Sequence, residues 1–336
     1  MATLILNNDS ISVQLESEHL IVTKHSTEER QTLPLKDVDR VVVIGRPAVT
    51  FAALSRIMDK GLPCVFMTKS GRLRGTIDTM KASHVSRRIV QCDRFRDPKV
   101  RLELSVALIQ SKLQNCRRVI QRLCANRSLP VSDLGEHWVD FQGCMSELGG
   151  CESTDAVRGL EGIASFHYFR LLSLFFPGDF PFPARSRRPP LDEANALLSF
   201  IYTHLMNEMT AFVRLHALDV GLGFLHEDQD RSPSLALDLM ESFRPGFADL
   251  LTINTLGHGR LQKDSSFVHD EETGGVYLAG EARKKVLIAC ESALTRSFVA
   301  RGELSHTTMR QALDRQVIAL VRYLERGEAP RFFRLA

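Results

Sequence analysis

The spacing of apolar residues changes once along this chain, and that change constrains its fold more than any other feature. Up to about residue 75, apolar and β-branched residues come in short runs between turn signals: TLILN, ISVQLE, HLIVTK, QTLPL, VDRVVVIG and CVFMT. Asn7-Asn8-Asp9 and Ser70-Gly71 stand where such strands need turns. One helix interrupts them, Val49 to Lys60, stopped by Gly61 with Pro63 two residues on. From Pro98 almost to the end the period is 3.6. Leu104, Leu108, Ile109, Leu113, Cys116 and Ile120 form the stripe of one long amphipathic helix, and further helices are expected at about 155–176, 192–218, 234–256, 280–300 and 307–326. The expected fold class is α+β, with a small β-rich N-terminal domain over residues 1–80 and a larger all-α domain over 81–336. Pro177 to Pro190 is a proline-rich basic loop, and Lys263 to Gly280 is a polar segment that reads as a small hairpin or a mobile loop.

The 336 residues, 44% apolar and 25% charged, are enough for about two domains with sizeable cores, which excludes disordered, collagenous and small disulfide-stapled chains. The seven cysteines are odd in number and form no C-x-x-C pair, so they read as free, mostly buried thiols in a reducing compartment. Cys144 and Cys151, seven residues apart with no neighbouring ligand, read as inert. The first twenty residues lack a basic segment followed by an apolar one, and no stretch reaches the ~20 apolar residues of a membrane span. A soluble, untargeted, cytoplasmic protein with no membrane partner is expected.

The net charge of +3 alone argues against a nucleic-acid partner. Locally the picture differs. Lys81 to Arg127 holds twelve basic residues against three acidic ones, while Ser128 to Glu161 holds seven carboxylates against Arg158 alone. Arginine dominates the basic stretch, including Arg117, Arg118 and Arg122, and its planar fork suits phosphate. Such a stripe either binds a polyanion in a salt-dependent way or is a solvated helix face. Arg185, Arg187 and Arg188 in the proline-rich loop make a second basic patch.

Glu161 lies in RGLEGIASFHYFRLLSLFF, apolar on most sides, where a carboxylate is costly to bury unless paired or metal-bound. His226 ends the apolar run VGLGFLH, and Asp238 and Glu241 follow in SLALDLMESFRP, three residues apart on one helix face. A lone histidine there is more often a satisfied core residue, but carboxylates on two other apolar helices raise its standing as a ligand. Arg231 and Ser234 lie between them; Arg231 is a candidate phosphate contact, whereas Ser234 reads as a helix N-cap. Asn195 and Tyr202 read as satisfied core groups. Phe166, Tyr168 and Phe169 read as core rather than as stacking platforms for a base.

These residues resemble the Cas1 family, the CRISPR adaptation endonuclease/integrase. The resemblance rests on GLEGIAS around Glu161, RSRRPPLDEANALLSFIYTHL, GFLHEDQDRSPSLALDLMESFRP and LPLKDVDRVVVIG, and it covers nearly the whole chain. It implies a β-rich dimerisation domain, hence a homodimer, and a helical catalytic domain. It also implies a divalent metal on Glu161, His226 and Glu241, with Asp238 as an accessory carboxylate. Carboxylates suit Mg²⁺ or Mn²⁺, and the imidazole tilts the preference toward Mn²⁺. The implied reaction is attack of a DNA 3′-hydroxyl on a repeat-end phosphate, with water as nucleophile giving nuclease activity. The implied partners are double-stranded DNA (spacer precursor and CRISPR repeat), Cas2 and, in some systems, Cas4. The alternatives are a non-catalytic DNA-binding scaffold of the same complex and a hydrolase of a small phosphorylated metabolite. The intact Glu161, His226 and Glu241 argue against the first, and the basic stripe against the second.

Overall fold

The computed structural model describes residues 3–6, 9–25, 27–38, 40–62, 64–68, 73–77, 84–226, 232–302 and 305–336. The turns expected at Asn7-Asn8 and Ser70-Gly71 lie outside these residues, as do Lys81 and Arg231. The chain forms two compact units, Met1–His84 and Val85–Ala336.

In the first unit, β2 (Ile11–Glu16), β3 (His19–Lys24) and β4 (Glu29–Pro34) form an antiparallel meander extended by the short β6 (Ala48–Val49), in the order β4-β3-β2-β6. A second sheet, β1-β5-β7-β8, pairs β1 (Thr3–Leu6), β5 (Arg40–Ile44) and β7 (Cys64–Met67) in parallel and adds β8 (Leu73–Ile77) antiparallel. All of β5 is buried, which is why it reads as a continuous VVVI run instead of an alternation. Helix α1 (Phe51–Asp59) starts where the Thr50 hydroxyl accepts from the Ala53 N–H, and it places Ala53 and Ile57 in a core with Val13, Leu20 and Val41.

The second unit is built on α3 (Pro98–Asn126), capped by Asp97 with Pro98 in its first turn. Before it runs α2 (Val85–Arg96), which apolar periodicity does not announce: its Val85 and Ile89 are exposed, and its buried residue is Gln91. Gln91 docks the helix by hydrogen bonds with the Asp219 backbone at 2.7 and 2.9 Å. Helices α4 (Glu136–Glu147), α5 (Thr154–Ser173) and α6 (Glu193–Leu215) follow; Ser153 and Asp192 cap the last two. The helix expected over 234–256 is interrupted. It comprises α7 (Ser234–Met240), a π-helical turn at Arg244–Asp249 and α8 (Leu250–Gly257), because Pro245 lacks the N–H that a regular helix needs. Pro233, not Ser234, takes the cap position of α7.

The polar segment after α8 holds the four-residue α9 (Lys263–Ser266) and a hairpin of β9 (Phe267–His269) with β10 (Val276–Leu278). Helix α10 (Gly280–Thr295) stops short of the expected end. A second hairpin follows, β11 (Ser297–Val299) with β12 (His306–Thr308), so the helical unit carries two small ribbons. Helix α11 (Met309–Arg326) has a capping box between Thr308 and Gln311 and ends at Gly327 with φ 71°. The cysteines are free, and five of the seven are buried. Among the described residues no helix is long and apolar enough to cross a membrane.

Candidate metal centre

Helix α5 and the later stretch that runs through α7 bring Glu161, Glu241 and His226 near the Lys112 ammonium. Glu161 projects from the middle of α5, Glu241 from the C-terminal end of α7, and His226 from the segment before α7. Opposite them, α3 supplies Lys112, which sits on the buried stripe between Ile109 and Leu113 and is 5% exposed. Its ammonium bridges the two glutamates: it donates to Glu161 Oε1 and lies 2.7 Å from Glu241 Oε2. The Ser165 hydroxyl, one turn along α5, donates to the same Glu161 oxygen at 2.6 Å. Arg244 Nη1 reaches Glu241 Oε1 at 2.8 Å, and its guanidinium lies over the Tyr202 ring.

Asp238 does not join this group as a ligand. It is 1% exposed, and both of its oxygens are taken. Oδ2 accepts from the N–H groups of Phe224 and Leu225, and Oδ1 from the His226 N–H at 3.0 Å and from the imidazole at Nδ1, 2.6 Å away. Asp238 therefore folds the segment ahead of α7 and fixes the orientation of the His226 ring, with Nε2 turned toward Glu241 Oε1 at 4.0 Å. Gly223 permits this closeness, since a Cβ there would stand 2.8 Å from Ser234 Cβ and 3.0 Å from Asp238 Oδ2.

The electrostatics follow from burial and pairing. Burial raises the Glu161 pKa, but Lys112 and Ser165 outweigh it and hold the carboxyl down to about 2. Glu241, fully enclosed, is likewise held below its ordinary value by Arg244 and Lys112. Desolvation opposes the charge of Lys112, yet the two glutamates push its pKa above the usual lysine value. His226 is raised because its hydrogen bond to Asp238 overcomes the effect of burial.

Two carboxylates and an imidazole with one nitrogen already engaged are a donor set for Mg²⁺ or Mn²⁺. The residues present fit such an ion on two further counts. A cation, the Lys112 ammonium, already sits between the carboxylates, and Glu241 Oε2 is buried without a properly directed hydrogen-bond donor. Among the described residues no three His, Cys, Asp or Glu side chains close round a common point, and the Lys112 ammonium lies between the two glutamates.

Beneath the centre, Asp249 receives the hydroxyls of Tyr168 and Tyr202, each at 2.7 Å. Asn195 bonds to Asp192, Ala184 and Ser186, a fully satisfied interior group, as its sequence setting implied. Of the three aromatics near Glu161, Tyr168 is buried and Phe169 packs on Phe182, but Phe166 is 53% exposed. The two basic patches divide. Arg185 is half-buried, donates to Asn195 and Ser199 and ties the proline-rich loop to α6, whereas Arg187 and Arg188 are exposed. Arg118 and Arg122 share the outer face of α3, with Arg117 half-buried beside them. Sequence reasoning counts Lys112 with the basic stripe and passes over Arg244 and Asp249. The signal for Lys112 is the one that marks Glu161, a charge inside an apolar stripe that demands a partner.

A strand-rich unit followed by a helical one, with two glutamates on Lys112 and a histidine beside them, is an α+β arrangement that can be set beside known proteins. The chain belongs to the Cas1 family: the family described as "CRISPR associated protein Cas1" matches residues 4–292. A CRISPR-associated endonuclease Cas1 of Mycobacterium tuberculosis is 29% identical over 330 residues, 96% of this chain and 94% of that one. A Thermus thermophilus Cas1 endonuclease is 31% identical over 299 residues, covering 89% and 86%. Among solved structures, a casposase bound to its integration product superposes with a TM-score of 0.81 at 23% identity, covering 96% of this chain and 90% of that one. A chain of a Cas6-RT-Cas1–Cas2 complex gives 0.79 at 22%, covering 98% and 36%.

Proposed function

We propose that this chain is a metal-dependent DNA endonuclease and integrase of CRISPR adaptation, which inserts spacer DNA into the repeat array by transesterification. The observation that carries this reading is the pair of glutamates held on one ammonium, Glu161 and Glu241 on Lys112, with His226 Nε2 4.0 Å from Glu241, within a family whose curated relatives are named endonucleases. The casposase neighbour, caught with an integration product, supports the integrase side of the reading. In joining two strands, the bond made from an incoming 3′ oxygen to phosphorus replaces the bond broken to the leaving oxygen, so no external energy source is required.

Glu161, Glu241 and His226 Nε2 would hold Mg²⁺ or Mn²⁺, which when bound supplies charge neutralisation at the phosphoryl oxygens and activates a hydroxyl. Asp238 keeps His226 oriented for that task by occupying Nδ1. Arg244, stacked on Tyr202, holds Glu241 ionised and presents positive charge beside the reacting phosphate. Lys112 keeps both glutamates ionised and in place. The β-rich unit is assigned to homodimer formation. Cas2 is proposed as a partner from the Cas1–Cas2 complex among the neighbours, and Cas4 from a Geobacter sulfurreducens relative named as a Cas4/Cas1 fusion.

The test is strand transfer of a labelled DNA end into a repeat-bearing duplex, with Mn²⁺ or chelator and with or without Cas2. Glu161→Gln and His226→Ala should each lower transfer at least about a thousandfold while duplex binding persists. Wild-type transfer by either variant would remove the metal assignment. DNA binding without transfer in the unaltered protein would return the scaffold reading.

A further inference from the structure

Away from the metal centre, α4 packs along α5, and between them stand two histidines with no part in the proposed reaction. His137 lies in the first turn of α4 and shares a face with Asp140, three residues on. His167 faces them from α5, six residues and about 9 Å along the helix from Glu161. The two Nδ1 atoms are 3.0 Å apart, and Asp140 Oδ2 is 3.8 Å from His167 Nδ1. No arginine or lysine pairs with Asp140 among the described residues, so its charge is directed at the histidines.

Phe166, 53% exposed, sets its ring edge-to-face against both imidazoles, with centroids 5.9 Å from His137 and 5.2 Å from His167. That contact gives a solvent-facing phenylalanine a task. It holds the two imidazoles in place and lines one side of the donor set with apolar surface.

Nitrogen and oxygen ligands about 2.0–2.1 Å from one tetrahedral ion stand about 3.3 Å from each other. The imidazole pair is within about 0.3 Å of that separation, and Asp140 has to close by about 0.5 Å. The Asp140 side chain is half-exposed, so rotation about its own bonds makes that change while α4 and α5 stay where they are. His137 and His167 are partly exposed, which lets an ion enter from solvent. Two imidazoles and one carboxylate, with a fourth place left to water, are a zinc donor set, whereas Mg²⁺ prefers oxygen ligands throughout. As the pair stands, one Nδ1–H donates to the other Nδ1; with zinc on both Nδ1 atoms, that proton moves to Nε2 of its ring.

We infer that His137, His167 and Asp140 form a second metal site, one that takes Zn²⁺ and clasps α4 to the helix that carries Glu161. It holds whether or not α5 takes part in the reaction proposed above.

The experiment titrates Zn²⁺ into the full chain carrying His226→Ala, which removes the imidazole of the other centre, and follows the ion with a competing chromophoric chelator and by the melting temperature. One Zn²⁺ should bind, and at about a hundred times its Kd it should raise the melting temperature by about 5 °C or more. Adding His137→Gln or His167→Gln should weaken Zn²⁺ binding at least about tenfold and remove that rise, and Asp140→Asn should weaken it in the same direction. The unaltered chain supplies a check that needs no substitution. Zn²⁺ should protect His137 and His167 from diethylpyrocarbonate, read by mass spectrometry, and Mg²⁺ should not. Equal Zn²⁺ binding with and without the histidine substitutions overturns the site. So does loss of all Zn²⁺ binding in His226→Ala alone, or modification of both histidines undiminished by Zn²⁺.

Discussion

At the scale of single residues, Lys112 decides the state of the metal centre. It is the one cation paired with Glu161 among the described residues and shares Glu241 with Arg244, and removing one partner of a buried ion pair typically costs about 3 kcal/mol or more. Lys112→Ala should therefore lower the melting temperature by about 6 °C or more in metal-free buffer. Mn²⁺ should raise the melting temperature of this variant more than that of the parent, since the ion no longer competes with an ammonium. Equal Mn²⁺ shifts in the two proteins would show that Lys112 and the ion do not share the space.

Asp249 makes a second residue-level prediction. Burial raises its pKa from 3.8 to about 6, against the opposing pull of the Tyr202 and Tyr168 hydroxyls, Arg244 and Lys112; Cys116 also faces this network. A folded pKa above the unfolded one means that the protonated carboxyl favours the fold. This contribution, about 3 kcal/mol, is full below about pH 4 and lost as pH rises through about 6. In Asp249→Asn that part of the pH dependence should disappear. Denaturant unfolding of both proteins across this range measures it, and parallel curves would contradict the assignment.

At the scale of elements, the sequence was most legible where burial is one-sided. Alternating Ile11 and Val13 announced β2, and the apolar stripe of α3 was plain from Leu104 to Ile120. Helix α2 was hidden because a polar residue, Gln91, does its docking. The break after α7 was hidden because Pro245 had to be weighed against an otherwise helical pattern. The segment after α11 was equally silent. Residues 331–336 have no regular structure, yet Phe333 stacks on Phe243 with ring centroids 4.5 Å apart. Its carbonyl accepts from Asn115 at 2.9 Å and from the Ser111 hydroxyl, and its N–H donates to Gln316. Phe333→Ala should cost about 3 kcal/mol in urea unfolding, a core-sized loss, where a frayed end would cost almost nothing.

At the scale of the whole molecule, the net charge of +3 is a sum over unlike surfaces. Part of the basic excess of α3 is spent inward, at Lys112, and part outward, at Arg118 and Arg122; counting charges cannot separate the two, because helix phase alone decides which arginine or lysine faces solvent. Glu161 stood out in the sequence because charge inside an apolar helix is costly, whereas grouping it with His226 and Glu241 took the family resemblance. The role of Asp238 was not legible, because a carboxylate that binds backbone N–H groups looks in sequence like one that binds a metal.

The partners of Ser111 and Asn115 have a consequence for biosynthesis. The Ser111 hydroxyl donates to the Phe333 carbonyl, and Asn115, which also donates to the Ser242 carbonyl, shares that acceptor, on a residue translated more than 200 positions later. At about 5–20 residues per second, α3 waits roughly 10–45 s on the ribosome before its interior can be completed. The helical unit thus cannot finish folding as it emerges. Until Phe333 arrives, the Ser111 hydroxyl in the middle of α3 lacks the carbonyl that it donates to in the folded unit.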